Sequence, residues 1–171
     1  MKRLYGFAGK AGAGKDTAVN ALVEVYDAHR YAFADPIKDM LRCIGVDAAE
    51  IENKEAIIPG IGKSLRECMQ TLGTEWGRHM ISQDLWLFVA RSRIHWILKA
   101  GGMVAVADVR YDNEAALVRD LGGRVIEIIR PGVGEVRKHE SEDGISPHLI
   151  DHTIFNDSGI GAFKERVYGL V

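Results

Sequence analysis

The sequence predicts an α/β fold, in which an open, mostly parallel five-stranded sheet carries helices on both faces. Two features predict it. Short apolar runs alternate with stretches of helical spacing along the chain, and this alternation is typical of parallel sheets with crossover helices. The first apolar run, residues 4–8, is followed by a glycine-rich turn and then by a helical stretch. That order is the setting of a phosphate-binding loop.

The glycine-rich turn has the pattern G-x-x-x-x-G-K. It reads Gly9, Lys10, Ala11, Gly12, Ala13, Gly14, Lys15, Asp16 and Thr17. Glycines let a tight loop point its N–H groups inward, and a helix that begins at about Lys15 adds its positive end. Lys15 itself reaches the outer phosphates of a nucleotide. A plain turn between strand and helix is the alternative, but the surrounding order favours an ATP site.

Asp16 stands where the usual loop has a Ser or Thr whose hydroxyl binds Mg²⁺. A carboxylate is also a hard oxygen ligand, so Asp16 is expected to bind the metal directly or through water. Its charge repels bare phosphate, so a metal or nearby cations are needed to offset it. The competing role is that of a first-turn carboxylate that stabilises the helix dipole.

A strand, a helix and a loop are predicted after the first helix. The strand covers residues 30–34, and Asp35-Pro36 then begins a helix that runs to about Cys43, because proline is favoured at the first helical position. Residues 46–63 are expected to form a loop or a mobile arm. The mobile, substrate-binding part of the chain is placed around residues 46–80.

The next helix has a clear start signal. Ser64 is its predicted N-cap, with Glu67 three residues later as the partner of a capping box. Gly73 and Gly77 indicate either a break in this helix or a close approach to another element.

A further helix is predicted from about Asp84. Its core face is expected to consist of side chains at helical spacing: Leu85, Phe88, Val89, Ser92, Trp96 and Ile97. Trp86, at the start of this helix, is either a core residue or a stacking surface for a nucleotide base.

Residues 103–107 form a continuous apolar run, as a central parallel strand should. The run ends at Asp108, and Arg110 follows two positions later. In proteins with a phosphate-binding loop, an acidic residue at the carboxyl end of a buried strand orients the metal ion. Asp108 is therefore predicted to be a second metal-orienting carboxylate.

The remaining chain supplies two strands. Residues 124–130 form the first, which ends in Arg130, and residues 153–155 form the second, before a final helix to Tyr168. Residues 132–147 are polar and glycine-bearing and are expected to form a mobile lid. Because ligands bind outside the carboxyl ends of parallel strands, the loop, Asp35, residues 108–110 and Arg130 are expected to converge on one crevice.

Composition narrows the class of protein. The chain has 171 residues and 47% hydrophobic residues, which suits a single domain over residues 1–171. A net charge of −2 without a basic block gives no support for binding to polymeric nucleic acid. The loop begins too early to leave room for a signal peptide, and no apolar run approaches membrane-spanning length. Cys43 and Cys68 are expected to be buried or half-buried thiols in a reducing compartment, the cytoplasm.

Five blocks of the sequence resemble the deoxynucleoside monophosphate kinases of tailed bacteriophages. The blocks cover residues 9–17, 33–38, 66–75, 108–114 and 139–142. The resemblance implies a P-loop NTPase fold of the nucleoside monophosphate kinase type. It also implies Mg²⁺-dependent transfer of a phosphoryl group from ATP to a deoxynucleoside 5′-monophosphate, and a location in the host cytoplasm if the chain is phage-encoded. A homodimer is one of the oligomeric states that the sequence leaves open.

The resemblance implies general phosphate-site roles for the residues in the matching blocks, and the placement of other residues along the chain adds Arg78, Trp86 and Arg130 to the expected site. The expected catalytic residues are Lys15, Asp16, Arg110 and Arg130, and the expected metal ligands are Asp16 and Asp108. The residues expected to bind the acceptor nucleotide are Asp35, Lys38, Arg66, Gln70, Arg78, Trp86, Asp108 and Arg110. Guanidinium forks suit phosphate oxygens, whereas the acceptor phosphate is itself a nucleophile, so His139 need not be catalytic.

Two other functions stay open at this stage. The chain could be a kinase for another small phosphorylated metabolite, or a nucleotide-dependent switch or ATPase in which binding is the output. A switch needs a partner surface and a residue that positions water, and the sequence shows no clear sign of either.

Overall fold

A computed structural model of the chain describes residues 3–132 and 144–171. It contains five strands, namely β1 (Leu4–Ala8), β2 (His29–Tyr31), β3 (Val104–Val106), β4 (Arg124–Ile129) and β5 (His152–Phe155). They form one sheet in the order β2-β3-β1-β4-β5, and every neighbouring pair is parallel. The predicted five-stranded parallel sheet is confirmed.

Six α-helices connect or follow the strands. They are α1 (Lys15–Tyr26), α2 (Asp35–Cys43), α3 (Leu65–Gln70), α4 (Leu85–Lys99), α5 (Asp112–Asp120) and α6 (Ile160–Tyr168). A π-helix covers Thr71–Ile81 and a short 3₁₀ turn covers Pro147–Leu149. In the described parts of the chain, no helix is both long enough and apolar enough to cross a bilayer.

The chain divides into two compact units. The first unit consists of Met1–Ala32 and Ala90–Val171 and holds the whole sheet; the second is Phe33–Val89. The second unit includes most of the segment expected to bind substrate around residues 46–80. Substrate binding by this segment stays a prediction, as does the single domain over residues 1–171.

The first unit has helices on both faces of its sheet. Tyr5 and Phe7 of β1 are fully buried in a cluster with residues of α1 and α6, such as Leu22 and Phe163. Gly6 points the other way, since an added Cβ there would lie 3.0 Å from a methyl of Val118 in α5. This alternation follows from the period of two in a strand.

Strand β2 is shorter and earlier than predicted. The sequence indicated residues 30–34, but the strand is His29–Tyr31. Among the described residues, β2 pairs with β3, from His29 opposite Val104 to Tyr31 opposite Val106. The Ala107 N–H then donates to the Tyr31 carbonyl at 2.8 Å, and α2 begins soon afterwards, at Asp35.

The second unit is built around its own small core, in which Leu41, Val46 and Leu65 are buried. The predicted capping box is confirmed: the Ser64 side chain accepts from the Glu67 N–H, and the Glu67 carboxylate accepts from the Ser64 N–H at 2.9 Å. The hydrogen bonds from Ser64 lower the pKa of Glu67, because they favour its charged form.

The two glycines of this region mark close approaches, and the helix does not break at either. Helix α3 continues directly into the π-helix. An added Cβ would lie 2.9 Å from Ile37 Cδ1 at Gly73 and 2.6 Å from Trp86 Cζ2 at Gly77. The Trp86 indole N–H also donates to the Gly73 carbonyl at 2.7 Å. Trp86 therefore packs against the π-helix, and the prediction of a close approach is confirmed.

Helix α4 buries a different face from the predicted one. Trp86, Ala90 and Ile94 are buried, whereas Phe88 and Trp96 are 79% and 65% exposed. The buried stripe is shifted by one residue, which is about 100° around a helix. The predicted core role of Trp96 and Phe88 is wrong, because the contact of Trp86 with the glycines orients the start of α4.

The cysteine prediction is half right. Cys68 is half-buried as expected, but Cys43 is exposed at the end of α2.

Replacing Gly77 with Ala should destabilise the protein by about 1–3 kcal/mol, because the added methyl would overlap the Trp86 ring in a packed site. Gly161→Ala is a matched control, since Gly161 is also helical and has nothing within 4 Å of an added Cβ. That control should be neutral or stabilising by up to about 1 kcal/mol. Denaturant unfolding of both variants measures the difference, and equal stability of the two would contradict the packing account.

Candidate active site

The turn between β1 and α1 has the backbone of a phosphate loop. Gly9, Gly12 and Gly14 have φ values of 132°, 78° and 111°, a region that favours glycine. Two of them are also approached closely, since an added Cβ would lie 2.4 Å from Ile128 O at Gly9 and 2.6 Å from Asn156 Nδ2 at Gly14. The glycines are therefore required both by conformation and by space.

Lys15 begins α1, as predicted, and its side chain folds back over the loop. Its Nζ donates to the carbonyls of Gly9 at 2.5 Å and Lys10 at 2.9 Å. The N-cap is Gly14, and no side chain caps this helix start. The ammonium group and the first N–H groups of α1 thus meet at one place, which attracts anions.

Asp16 is highly exposed, with 77% of its side chain accessible, and lies 3.2 Å from the Arg30 guanidinium. An exposed ion pair contributes little to stability, but it places positive charge beside the carboxylate. The charge of Asp16 requires cations near it, and the sequence alone does not identify one. Arg30 was missed because it lies 14 residues away, on β2.

The chain after β3 passes close to the end of β1. The Val109 N–H donates to the Phe7 carbonyl at 3.1 Å, so Asp108 and Arg110, both half-buried, flank a residue that is bonded to β1. The turn is held by Glu114, which is 3% exposed and accepts from the Arg110 N–H at 2.8 Å.

Two side chains from other strand ends contact the loop. Arg130, after β4, donates from Nη1 to the Gly12 carbonyl at 3.4 Å. Asn156, after β5, donates from Nδ2 to the Ala13 carbonyl at 2.8 Å. The first unit therefore brings the loop, the residues after β3 and Arg130 to the carboxyl edge of the sheet. Asn156 was not among the predicted site residues, because nothing in the local sequence marks it.

The remaining predicted site residues lie in the second unit. Lys38 pairs with Asp35 at 2.8 Å within α2. Arg66 pairs with Glu55 through its Nε. Gln70 is half-buried at the end of α3. These side chains are partly accessible polar groups, as a site for a charged ligand requires.

Arg78 and Trp86 differ from the others because both are interior. Arg78 is 4% exposed and donates from Nη1 to the Gln83 carbonyl at 3.3 Å, and Trp86 is 5% exposed. The structure therefore favours the packing role for Trp86 over base stacking. Arg78 helps to hold the turn between the π-helix and α4.

Asp112, just after the turn of Arg110, is tied to the last part of the chain. The hydroxyl and N–H of Ser146 donate to its two carboxylate oxygens at 2.6 and 2.7 Å. The hydroxyl bond first, and then the backbone bond, lower the pKa of Asp112. The predicted lid, residues 132–147, falls largely outside the described residues, as does the block that contains His139.

Replacing Ser146 with Ala should raise the pKa of Asp112 toward its ordinary value, because the hydroxyl bond to the charged form is lost. A carboxyl group whose pKa is lower in the folded state stabilises the protein at pH values above its unfolded-state pKa. This stabilisation is lost as the pH falls through the folded-state pKa. The stability deficit of the variant should therefore be full at neutral pH and shrink below about pH 4. Carboxyl NMR titration measures the shift, with Asp157 as an internal control, since its pKa is lowered by Arg166 instead. An unchanged Asp112 titration would contradict the assigned cause.

Carboxylate oxygens are the protein ligands that a magnesium ion prefers. Within residues 3–132 and 144–171, no three His, Cys, Asp or Glu side chains gather into a group able to hold a metal ion. Mg²⁺ in kinases is bound through one or two carboxylates together with substrate phosphates. Asp16 beside the loop and Asp108 after β3 are carboxylates of that kind.

Sequence comparisons agree with this geometry. A family model described as deoxynucleotide monophosphate kinase matches residues 44–167, well over half of the chain. The chain is 25% identical to a protein of Escherichia phage T5 named deoxynucleoside-5′-monophosphate kinase, over 98% of this chain and 95% of that one. It is 27% identical to the deoxynucleotide monophosphate kinase of Escherichia phage RB69, over 61% of this chain and 43% of that one.

Solved structures of the same fold are more distant in sequence. A dephospho-CoA kinase from Campylobacter jejuni has a TM-score of 0.59 at 12% identity, over 99% of this chain and 96% of that one. A shikimate kinase from Aquifex aeolicus has a TM-score of 0.53 at 9% identity, over 98% of this chain and 94% of that one. These similarities establish a P-loop kinase fold.

Proposed function

The chain belongs to the deoxynucleotide monophosphate kinase family, and from this premise we propose that it transfers the γ-phosphoryl group of ATP to a deoxynucleoside 5′-monophosphate. The products are the deoxynucleoside diphosphate and ADP. The observation that carries the proposal is the loop after β1, where three glycines with positive φ and Lys15 form an anion site at the start of a helix.

The loop binds the donor. Its N–H groups, the first turn of α1 and Lys15 surround the phosphates of ATP. In the free protein, the Lys15 ammonium is held by the carbonyls of Gly9 and Lys10. Phosphate oxygens carry full negative charge and form stronger hydrogen bonds than neutral carbonyls, so a bound nucleotide draws the ammonium group onto its phosphates.

Asp16 and Asp108 orient the magnesium ion, which when bound supplies charge neutralisation at the transferred phosphate. Asp16 alone would repel the nucleotide. Arg30, 3.2 Å from its carboxylate, offsets part of that charge before the nucleotide arrives.

The acceptor nucleotide is bound by basic side chains that already form ion pairs with neighbouring carboxylates in the free protein. Lys38 rests on Asp35, and Arg66 rests on Glu55. The acceptor phosphate competes with these carboxylates for the cations, while Gln70 offers amide groups to the nucleoside. Arg78 supports this segment from inside.

The chemical step needs positioning and charge, not a strong base. The acceptor phosphate is ionised at neutral pH and attacks the γ-phosphorus in line. Arg110, at the edge of the sheet, places its guanidinium on the transferred group, and Arg130 supports the loop that holds the donor. Planar guanidinium forks stabilise the charge that spreads over the equatorial oxygens.

A coupled assay of ADP release tests the proposal against its alternatives. The chain is given ATP and Mg²⁺ with each deoxynucleoside monophosphate, each ribonucleoside monophosphate, a set of other phosphorylated metabolites, or no acceptor. ADP release that requires a deoxynucleoside monophosphate supports the proposal. Release that requires another metabolite would make the chain a different kinase, and release without any acceptor would make it an ATPase or switch.

A further inference from the structure

Asn156 follows β5 and forms hydrogen bonds with the end of β4 and with the phosphate loop that follows β1. It follows β5 directly, and its own N–H donates to the Ile129 carbonyl at the end of β4 at 2.8 Å. Its side chain donates to the Ala13 carbonyl at 2.8 Å. Only the amide nitrogen can donate to a carbonyl, so this partner determines the orientation of the amide.

The contact controls the direction of one peptide group. The peptide between Ala13 and Gly14 is trans, as are all described peptides, so its C=O and N–H point in opposite directions. With the Ala13 carbonyl turned toward Asn156, the Gly14 N–H points away from Asn156. Among residues 3–132 and 144–171, no acceptor receives that N–H.

Gly14 is shaped for this arrangement. Its φ of 111° suits glycine, and an added Cβ would lie 2.6 Å from the Asn156 amide nitrogen. A side chain at residue 14 would therefore displace Asn156. The absence of a Cβ at Gly14 leaves room for the Asn156 side chain. The hydrogen bond from that side chain to the Ala13 carbonyl then keeps the peptide in one orientation.

We propose that Asn156 is a positioning residue that holds the Gly14 N–H ready for a donor phosphate and thereby sets the affinity for ATP. The inference rests on the proposed function, in which the loop binds ATP. An N–H group that is already oriented needs no reorganisation when the phosphate of ATP binds. The competing account is that Asn156 only fastens β5 to the loop and contributes stability.

Isothermal titration of ATP with Mg²⁺ into the full chain, without acceptor, separates the accounts. Asn156→Ala removes the donor and should weaken ATP binding by about five- to tenfold. Asn156→Asp keeps the shape but faces the carbonyl with a negative oxygen, so it should weaken binding by about tenfold or more. The matched control is Asp157→Asn, which removes the negative charge that faces Arg166 in the neighbouring ion pair and should leave the affinity within about twofold.

Kinetics complete the test. In both Asn156 variants, KM for ATP should rise while KM for the acceptor and kcat at saturating ATP stay near wild-type values. Wild-type ATP affinity in both variants would overturn the inference, as would an equal loss of affinity in Asp157→Asn. A wild-type chain that binds no ATP would instead overturn the proposed function on which the inference rests.

Discussion

Lys15→Ala should abolish phosphoryl transfer while the protein stays folded. The Lys15 ammonium rests on two loop carbonyls and contributes nothing to the apolar core, so its removal leaves the packing intact. Under the proposed function its positive charge stabilises the donor phosphates, and charge stabilisation of this kind is worth about 10²-fold or more in rate. The initial rate of transfer and a thermal melt measure the two effects.

Lys99→Ala is the matched control for this loss of charge. Lys99 lies at the surface end of α4, with its Nζ 5.4 Å from the centre of the Trp96 ring. Its removal should leave the rate unchanged. A folded Lys15→Ala protein that transfers phosphate at the wild-type rate would contradict the donor site.

Arg110→Lys should lower kcat by about 10²-fold or more while ATP affinity changes little. Lysine keeps the positive charge but loses the planar fork, which matters at a phosphate in the transition state. The structure shows Arg110 tied to Glu114 through its backbone N–H, and that bond survives a change of side chain. An arginine that served only in an ion pair would keep its positive charge as lysine and would largely tolerate the substitution.

The control for this change is Arg119→Lys in the adjoining helix α5. Arg119 contacts the His148 carbonyl at 2.9 Å and lies near Asp151, so its role is to join α5 to the end of the chain. Steady-state kinetics should show normal kcat in Arg119→Lys. Normal kcat in Arg110→Lys as well would mean that another arginine, Arg130 or Arg66, serves the transition state.

The parts of the fold that local sequence determines could be predicted. The loop follows from glycines and a lysine at set spacing, and the start of α3 follows from a capping box that closes within four residues. The all-parallel sheet follows from the alternation of strands and helices. The loop motif and the capping box are patterns of residues that lie close together along the chain, and the alternation of strands and helices is read from the order of the elements.

The wrong predictions concern features that depend on contacts between residues from different elements of the fold. The buried face of α4 depends on where the Trp86 ring meets Gly77, and periodicity alone does not tell a face from its neighbour 100° away. The extent of β2 is defined by its pairing with β3, which lies far along the chain. The spacing of apolar residues along the chain does not predict either of these contacts.

The same reason explains the missed site residues. Asn156 is separated from Ala13 by 143 positions, and Arg30 from Asp16 by 14. Neither belongs to a local motif, and each acts through a contact that exists only after the sheet has formed. Glu114 was visible as part of a conspicuous block, but its two backbone partners, the N–H groups of Arg110 and Tyr111, were not.

Direct identification of the products tests the central claim most sharply. The wild-type chain is incubated with Mg²⁺, ATP that carries a labelled γ-phosphate, and each deoxynucleoside monophosphate in turn, and the nucleotides are separated by anion exchange. Label is expected in the β-phosphate of the deoxynucleoside diphosphate, in an amount equal to the ADP formed. Label that appears only as inorganic phosphate, with every deoxynucleoside monophosphate unchanged, would contradict it.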